Sequence, residues 1–260
     1  MKNRLKNKTT RNNFITYGVV ILIYIVMQIL TASGSISSTM QGLLVPICAY
    51  VVMAISLNLT VGILGELSLG HAGFMSVGAF TGVTAAMALS GRVSSGIVCL
   101  IVGMVVGAVF AAIVGFLIGI PVLRLKGDYL AIVTLAFGEI IKGIFNNLYV
   151  GIDSNGLHMS LLSDKTDLAE GGKLIIGGPM GLTSIPWYST FTIGIILVII
   201  TLIVVFHLVS SRQGRAIMAV RDNRIAAESI GVNITKYKLM AFTVSAALAG
   251  ASGTLFAMNY

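Results

Sequence analysis

Two small constellations of charge interrupt a chain that is otherwise apolar. In "GELSLGHAGFMSVGAF", residues 65–80, Glu66 and His71 stand five positions apart among glycine, alanine, serine and large apolar side chains. In "TLAFGEIIKGIFNN", residues 134–147, Glu139 and Lys142 stand three apart, on one face of a helix. A charge stranded at mid-bilayer costs at least about 2.5 to 3.5 kcal/mol, so each needs water, a partner or a function. An intramembrane enzyme would need a polar cluster at helical spacing, but His71, His158 and His207 are scattered and no His-Glu-x-x-His pattern occurs. No Gly-x-x-x-x-Gly-Lys-Ser/Thr phosphate loop is present either, so any ATP used must be bound by a partner. The chemistry open to these charges is therefore pairing, or contact with a polar solute.

What positions them is a membrane. Of 260 residues, 56% are hydrophobic and 10% charged, and the mean hydropathy is +0.96, far from the average of soluble domains. Runs long enough to cross about 30 Å of hydrocarbon cover residues 14–30, 43–62, 72–89, 96–120, 129–149, 188–209 and 239–258. The expectation is an all-α, polytopic bundle of about seven spans. The first run exceeds a signal-peptide core and "TASGSIS" is a poor cleavage site, so it reads as an uncleaved helix. Cys48 and Cys99 lie inside apolar runs and read as packing residues, with no metal spacing.

The net charge of +8 would suggest nucleic acid in a soluble chain, but here the basic residues cluster at the ends of apolar runs, where they orient helices. Lys2, Arg4, Lys6, Lys8 and Arg11 occupy a basic N-terminus, residues 1–13; Arg124 and Lys126 follow the fourth run; a third basic group spans 210–238. Starting inside, all three fall on the cytoplasmic side, with the N-terminus cytoplasmic. The outward loops carry only Arg92, Lys165 and Lys173, and the longest, residues 150–187, adds Asp153, Asp164, Asp167 and Glu170. The remaining chain, 14–260, reads as one membrane domain.

Small residues say that the spans pack closely. Gly103, Gly107, Ala111, Gly115 and Gly119 recur every fourth position, Ala249, Gly253 and Ala257 repeat the device in the last span, and Gly78 with Gly82 in the third. Between the last two spans, "SRQGRAIMAVRDNRIAAESIGVNITKYK" is patterned: Ile217, Val220, Ile225 and Ile230 form an interrupted apolar stripe, Asp222 or Asn223 can cap a short helix through "RIAAESI", and Gly231 is a natural stop. Such a helix, rimmed by arginines, offers a surface to a partner or to anionic lipid.

Four blocks in order, "LNLTVGILGELSLGHAGFMSVGAF", "LRLKGDYLAIVTLAFGEIIK", "GGPMGL" and "GRAIMAVRDNRIAAESIGVNITKYKLMAFTVSAALAGASGTLFA", resemble the LivM-type permease subunits of the branched-chain amino acid ABC transporter family. The resemblance implies a subunit in the cell membrane that performs no covalent chemistry and binds no cofactor. Its implied partners are ABC ATPase subunits, a second permease subunit and an extracytoplasmic substrate-binding protein, in a lipid bilayer and with no nucleic acid. It further implies that the 210–238 segment is the loop received by the ATPase, with Arg221, Asp222, Arg224, Ala226, Ala227, Glu228 and Gly231 as its coupling residues. Of the superfamily pattern Glu-Ala-Ala-x-x-x-Gly, Ala226, Ala227 and Gly231 match; the acidic position holds Ile225, and Glu228 follows three residues later. Similar family members continue for further spans, so the expectation is a chain truncated at its C-terminal side.

The candidate substrate path comprises Glu66, Ser68, His71, Gly73, Glu139 and Lys142. Two readings stand for the first group: a cytoplasmic turn with Ser68 capping a helix from about Leu69, or a discontinuous helix reaching into the bundle toward a zwitterionic solute. Two stand for Glu139 and Lys142: a buried structural ion pair, or the border of an aqueous path. The implied substrate is a branched-chain or related amino acid; the same architecture serves urea and amides, and an ion-coupled secondary transporter is the alternative mechanism.

Overall fold

The computed structural model describes residues 2–91, 93, 95–125, 127–153, 156–161, 172–183 and 185–259; the side chains of residues 2–10 and 12 lie outside the description. Of the charges read as topology signals, the side chains of Lys2, Arg4, Lys6 and Lys8, and Arg92, Lys126, Asp164, Lys165, Asp167 and Glu170, fall outside it.

Glycine sets the centre of the bundle. Helix α4 (Gly96–Val122) lays its small-residue stripe against α3 (His71–Ser90) and α9 (Ile234–Ala257). A Cβ on Gly107 would lie 2.7 Å from the Gly78 carbonyl oxygen, and one on Gly115 would lie 2.5 Å from the Ala246 Cβ. Between α3 and α9, a Cβ on Gly78 would sit 2.1 Å from the Gly250 carbonyl oxygen. Backbones at this separation gain dispersion contact along their length, which drives helix association where lipid offers no hydrophobic gain. Thr254 adds a hydrogen bond across the seam, its hydroxyl donating to the Gly78 carbonyl at 2.8 Å.

The remaining helices dress this trio. Helix α2 (Ser38–Asn58) runs on through a π-helical turn at Leu59–Ile63 and packs on α6 (Phe191–Ser210), where Val45, Cys48, Ala49 and Val52 meet Leu197, Val198 and Leu202. Helix α1 (Lys2–Ala32) leans on α6 through Tyr17 against Phe206 and Tyr24 against Phe191. Cys48 and Cys99 are both buried and free. Pairings fix direction. Gly42 meets Asn259 and Thr60 meets Ser245, so α2 is antiparallel to α9; Gly82 meets Thr254 and Gly78 meets Gly250, so α3 is parallel to it.

Among the described residues six helices are long and apolar enough to cross a membrane: Asn13–Ala32, Ser38–Leu64, His71–Ser90, Gly96–Val122, Phe191–Ser210 and Ile234–Ala257. The expected seventh crossing corresponds to α5 (Asp128–Asn146), which is not among them. It still runs beside α3 in the same direction, since Gly70 abuts Thr134, Gly73 abuts Gly138, and Phe80 stacks on Phe145 at 4.1 Å. The helix stops at Asn146, three residues short of the apolar run, and strand takes over.

That strand was not foreseen. β1 (Leu148–Asp153), β2 (Gly156–Leu161) and β3 (Lys173–Gly177) form an antiparallel sheet in the order β2-β1-β3. Val150, Ile152, Ile175 and Ile176 are β-branched, suited to a pleated surface with one face covered. Val150, Ile175 and Ile176 bury against Val83, Ala86 and Leu100, so much of the expected loop 150–187 is a packed cap over the C-terminal half of α3. His158 contacts the Asp153 carboxylate at 3.1 Å instead of standing free. At the opposite end lie Arg124 and two short helices, α7 (Arg212–Asp222) and α8 (Arg224–Ser229). Arg124 and the described part of the third basic group thus share one end of the molecule, called below the basic end.

Candidate functional site

Three polar regions follow one another from the basic end inward. The first is the joint between the short helices and the turn after α2. Gly65, at φ 78°, reverses the chain, and Arg221 lies across it: the guanidinium donates to the Gly62 carbonyl at 2.9 Å and to Asp222 at 3.0 Å. A Cβ on Gly65 would stand 2.6 Å from Arg221 Cγ, so the turn and the arginine are fitted to each other. Beneath them Glu66 and Lys238 form an ion pair with side chains 14% and 7% exposed, joining the turn to the first coils of α9. Glu66 is therefore not a solvated turn residue. A cavity of about 410 Å³ opens between Glu66, Lys238, Arg221 and Arg224.

The expected coupling residues divide by what they touch. Asn223, not Asp222, caps α8, accepting from the Ala226 amide at 3.0 Å, and Gly231 ends the segment at φ 83°. Ala227 is buried with Val220 and Ile234. Arg224, Ala226 and Glu228 face outward, and Arg224 makes no hydrogen bond or ion pair among the described residues. The apolar stripe splits: Ile217 and Val220 are buried, whereas Ile225 and Ile230 are 81% and 76% exposed. The reason is that α7 and α8 are separate helices with a break at Asn223, so one helical period does not run through all four isoleucine and valine positions.

The second region is a closed polar knot. His71 is 3% exposed, with Nε2 2.9 Å from Ser56 Oγ and 3.3 Å from Ser245 Oγ. Thr60 donates to Ser245 Oγ at 2.9 Å, Ser245 donates to the Ser56 carbonyl, and Ser56 donates to the Met53 carbonyl at 2.7 Å. Every hydroxyl proton is thereby directed elsewhere, so the histidine must be the donor through Nε2. The knot ties α2, α3 and α9 together. His71 lies inside it rather than in an aqueous path, which corrects the solvated reading. Ser68 is likewise buried, but its hydroxyl has no partner among the described residues and caps nothing; the helix starts at His71 with Gly70 before it. Leu69, expected in the first turn, instead gives its amide to the Thr134 hydroxyl at 3.1 Å.

The third region is the groove between α3 and α5, about 240 Å³, lined by Gly70, Gly73, Ser76, Gly138, Glu139 and Lys142 among others. It exists because Gly70 and Gly73 let α5 approach: a Cβ on Gly73 would meet Gly138 Cα at 3.2 Å. Glu139 and Lys142 pair at 3.3 Å, with side chains 66% and 65% exposed. They form the expected pair, yet the buried structural reading does not hold. Beyond Ala72 and Ser76 the groove meets a cleft of about 630 Å³, walled by Met75, Ala79, Phe80, Leu182, Ile185 and Phe256.

Of the candidate path residues, Gly73, Glu139 and Lys142 thus come together at the groove, while Ser68 and His71 are buried outside it and Glu66 pairs with Lys238. Sequence reasoning missed Ser56, Thr60, Ser245 and Lys238. Their signal was polarity inside apolar runs, too common in membrane helices to single them out. Among the described residues no group of three or more His, Cys, Asp or Glu side chains could hold a metal.

Comparison with known proteins identifies the family of the chain. Residues 39–260 match the family described as "Branched-chain amino acid transport system / permease component". The chain is 35% identical over 228 residues to the high-affinity branched-chain amino acid transport system permease protein LivM of Salmonella typhimurium, covering 80% of this chain and 50% of that protein. It is 37% identical over 228 residues to the corresponding LivM of Escherichia coli K12, again covering 80% and 50%. The chain spans about half the length of these curated relatives. No solved structure matches it significantly. A multi-pass helical bundle of the inner membrane, matched over most of its length, this chain belongs to the family of permease components of branched-chain amino acid transport systems.

Proposed function

We propose that this chain is the membrane-spanning permease subunit of an ABC importer for branched-chain or related amino acids, and that its solute passes along the α3–α5 groove. The observation that carries the path is the exposed Glu139–Lys142 pair. Glu139 lies eleven residues into α5, about 16 Å along the helix from its start at the basic end. Two charges displayed to hydrocarbon at that depth would each cost several kcal/mol. A face that carries them is accounted for if it borders water or a second permease subunit.

In this reading the basic end faces the cytoplasm, in keeping with the distribution of arginine and lysine. ATP is bound and hydrolysed by partner subunits, which dock on α8 through Ile225, Ile230 and the outward Arg224, Ala226 and Glu228. Displacement of α8 is passed on through Arg221 to the turn at Gly62–Gly65 and through Ala227 to α9, a rigid-body transfer between packed elements. An extracytoplasmic binding protein delivers the solute at the sheet end. Free isoleucines beside an arginine are what a docking helix needs; an ion-coupled carrier has no use for them.

The test is uptake of labelled leucine into proteoliposomes holding this chain with its ATPase, second permease and binding-protein partners. Uptake that requires ATP and the binding protein is expected. Uptake driven by an ion gradient without ATP, or of urea in place of leucine, isoleucine and valine, would replace this reading.

A further inference from the structure

The geometry points to the α3–α5 groove as a binding site for a single free α-amino acid, its ammonium on Glu139, its carboxylate on Lys142 and its side chain in the apolar cleft beyond Ser76. This rests on the transport reading above and narrows it to named groups. An α-amino acid carries both charges on one carbon, so removing it from water calls for a partner to each, and an acid beside a base supplies both. Glu139 and Lys142 meet that need, 3.3 Å apart on one turn of α5.

Their exposure on this chain leaves both charges accessible to a ligand. With both side chains about two thirds exposed, their mutual attraction is weak and opens easily to admit a ligand. Glu66 and Lys238 have the same charges but are 14% and 7% exposed and locked to each other, so the same chemistry there has no vacancy. Gly70 and Gly73 line the same groove as Glu139, and their missing Cβ atoms let α5 close on α3 beside it, which sets the groove's width. At about 240 Å³ the groove lies just below the range of drug-sized sites and suits a small solute.

The adjoining cleft supplies the rest. It shares Ala72 and Ser76 with the groove and is walled by Met75, Ala79, Phe80, Ile185 and Phe256, all without charge. A branched aliphatic side chain is the chemistry that fits, since it gains there what a polar one would lose. Urea and simple amides, having no charges, would gain no ion pair from Glu139 and Lys142, which stay paired with each other.

The experiment measures KM and kcat for ATP-dependent leucine uptake by the complete assembly in proteoliposomes. Glu139→Gln and Lys142→Gln should each raise KM about tenfold or more, a loss confined to solute binding. Glu139→Asp, keeping the charge, should stay within about threefold. Ala79→Trp should turn preference from leucine toward alanine. Ile140→Ala, exposed on α5 outside the groove, serves as the reference. KM values within about twofold of wild type for both neutral variants would overturn the site while leaving the transport reading intact. Absence of ATP-dependent leucine uptake by the wild-type and Ile140→Ala assemblies would overturn the transport reading itself.

Discussion

Helix α3 uses glycine on two of its faces, with opposite results. Toward α4 and α9, Gly78 and Gly82 are matched by Gly107, Gly103 and Gly250, and the three backbones close until no Cβ fits between them. Toward α5, Gly70 and Gly73 meet partners at Thr134 and Gly138 and Phe80 stacks on Phe145, but the glycine seam does not continue: a Cβ on Gly143 would touch nothing within 4 Å. The first seam is a lock, with glycine on every facing element. The second is a hinge-like touch beside an open groove that holds two exposed charges. Glycine in a membrane helix therefore reports close approach only when its partner element carries small residues in register.

The sharpest way to break this contrast is to add volume on each side. Gly250→Val places atoms against Ala111 Cβ, 2.4 Å from the position of a bare Cβ, and the Gly107 carbonyl. A loss of about 3 kcal/mol or more, or failure to assemble, is expected in thermal unfolding in detergent. Gly143→Ala on α5 should be neutral or stabilise by up to about 1 kcal/mol, since it meets no atom and favours helix. Equal effects at the two positions would dissolve the distinction.

The two ion pairs sharpen it next. Glu66→Gln leaves Lys238 charged in a site where its side chain is 7% exposed, and should cost about 3 to 5 kcal/mol in the same assay. Glu139→Gln, in an exposed pair, should cost no more than about 1 kcal/mol while impairing uptake. At the basic end, Arg221→Glu loses the bond to the Gly62 carbonyl and should leave ATP hydrolysis running with reduced uptake, read as the ratio of the two rates. Arg224→Glu, whose parent side chain makes no hydrogen bond or ion pair among the described residues, should act instead on co-purification of the ATPase. Gly231→Ala should also have a small effect: its φ of 83° imposes strain of about 1 kcal/mol, with no steric clash to add to it.

Much of the architecture was readable in advance because it follows from local quantities. The stripe from Gly103 to Gly119, the cap at Asn223 and the stop at Gly231 are properties of a few neighbouring residues, and each stands where expected. The site was only half legible. Glu139 and Lys142 were identifiable as a pair from their spacing, but whether they faced core or groove depends on where α5 meets α3. Glu66 was visible as a charge, yet its partner Lys238 lies 172 residues away and has no local signature. The sheet was hidden for a related reason: Leu148–Asp153 prolongs an apolar helical pattern, and only its pairing with Lys173–Gly177 makes strand the better use of those residues.

From the sequence by itself came the membrane environment, the succession of helices, the basic end and the short capped helix beside it. Those are set by hydropathy, charge placement and capping, which act within a turn or a span. Tertiary structure decided which charges are closed and which are open. Burying Glu66 needs α9 to bring Lys238, burying His71 needs hydroxyls from α2 and α9, and Glu139 stays open because Gly70 and Gly73 admit α5 along one edge only. Burial belongs to the packing of distant segments, so the same residue types separate into support and site only once the helices have met.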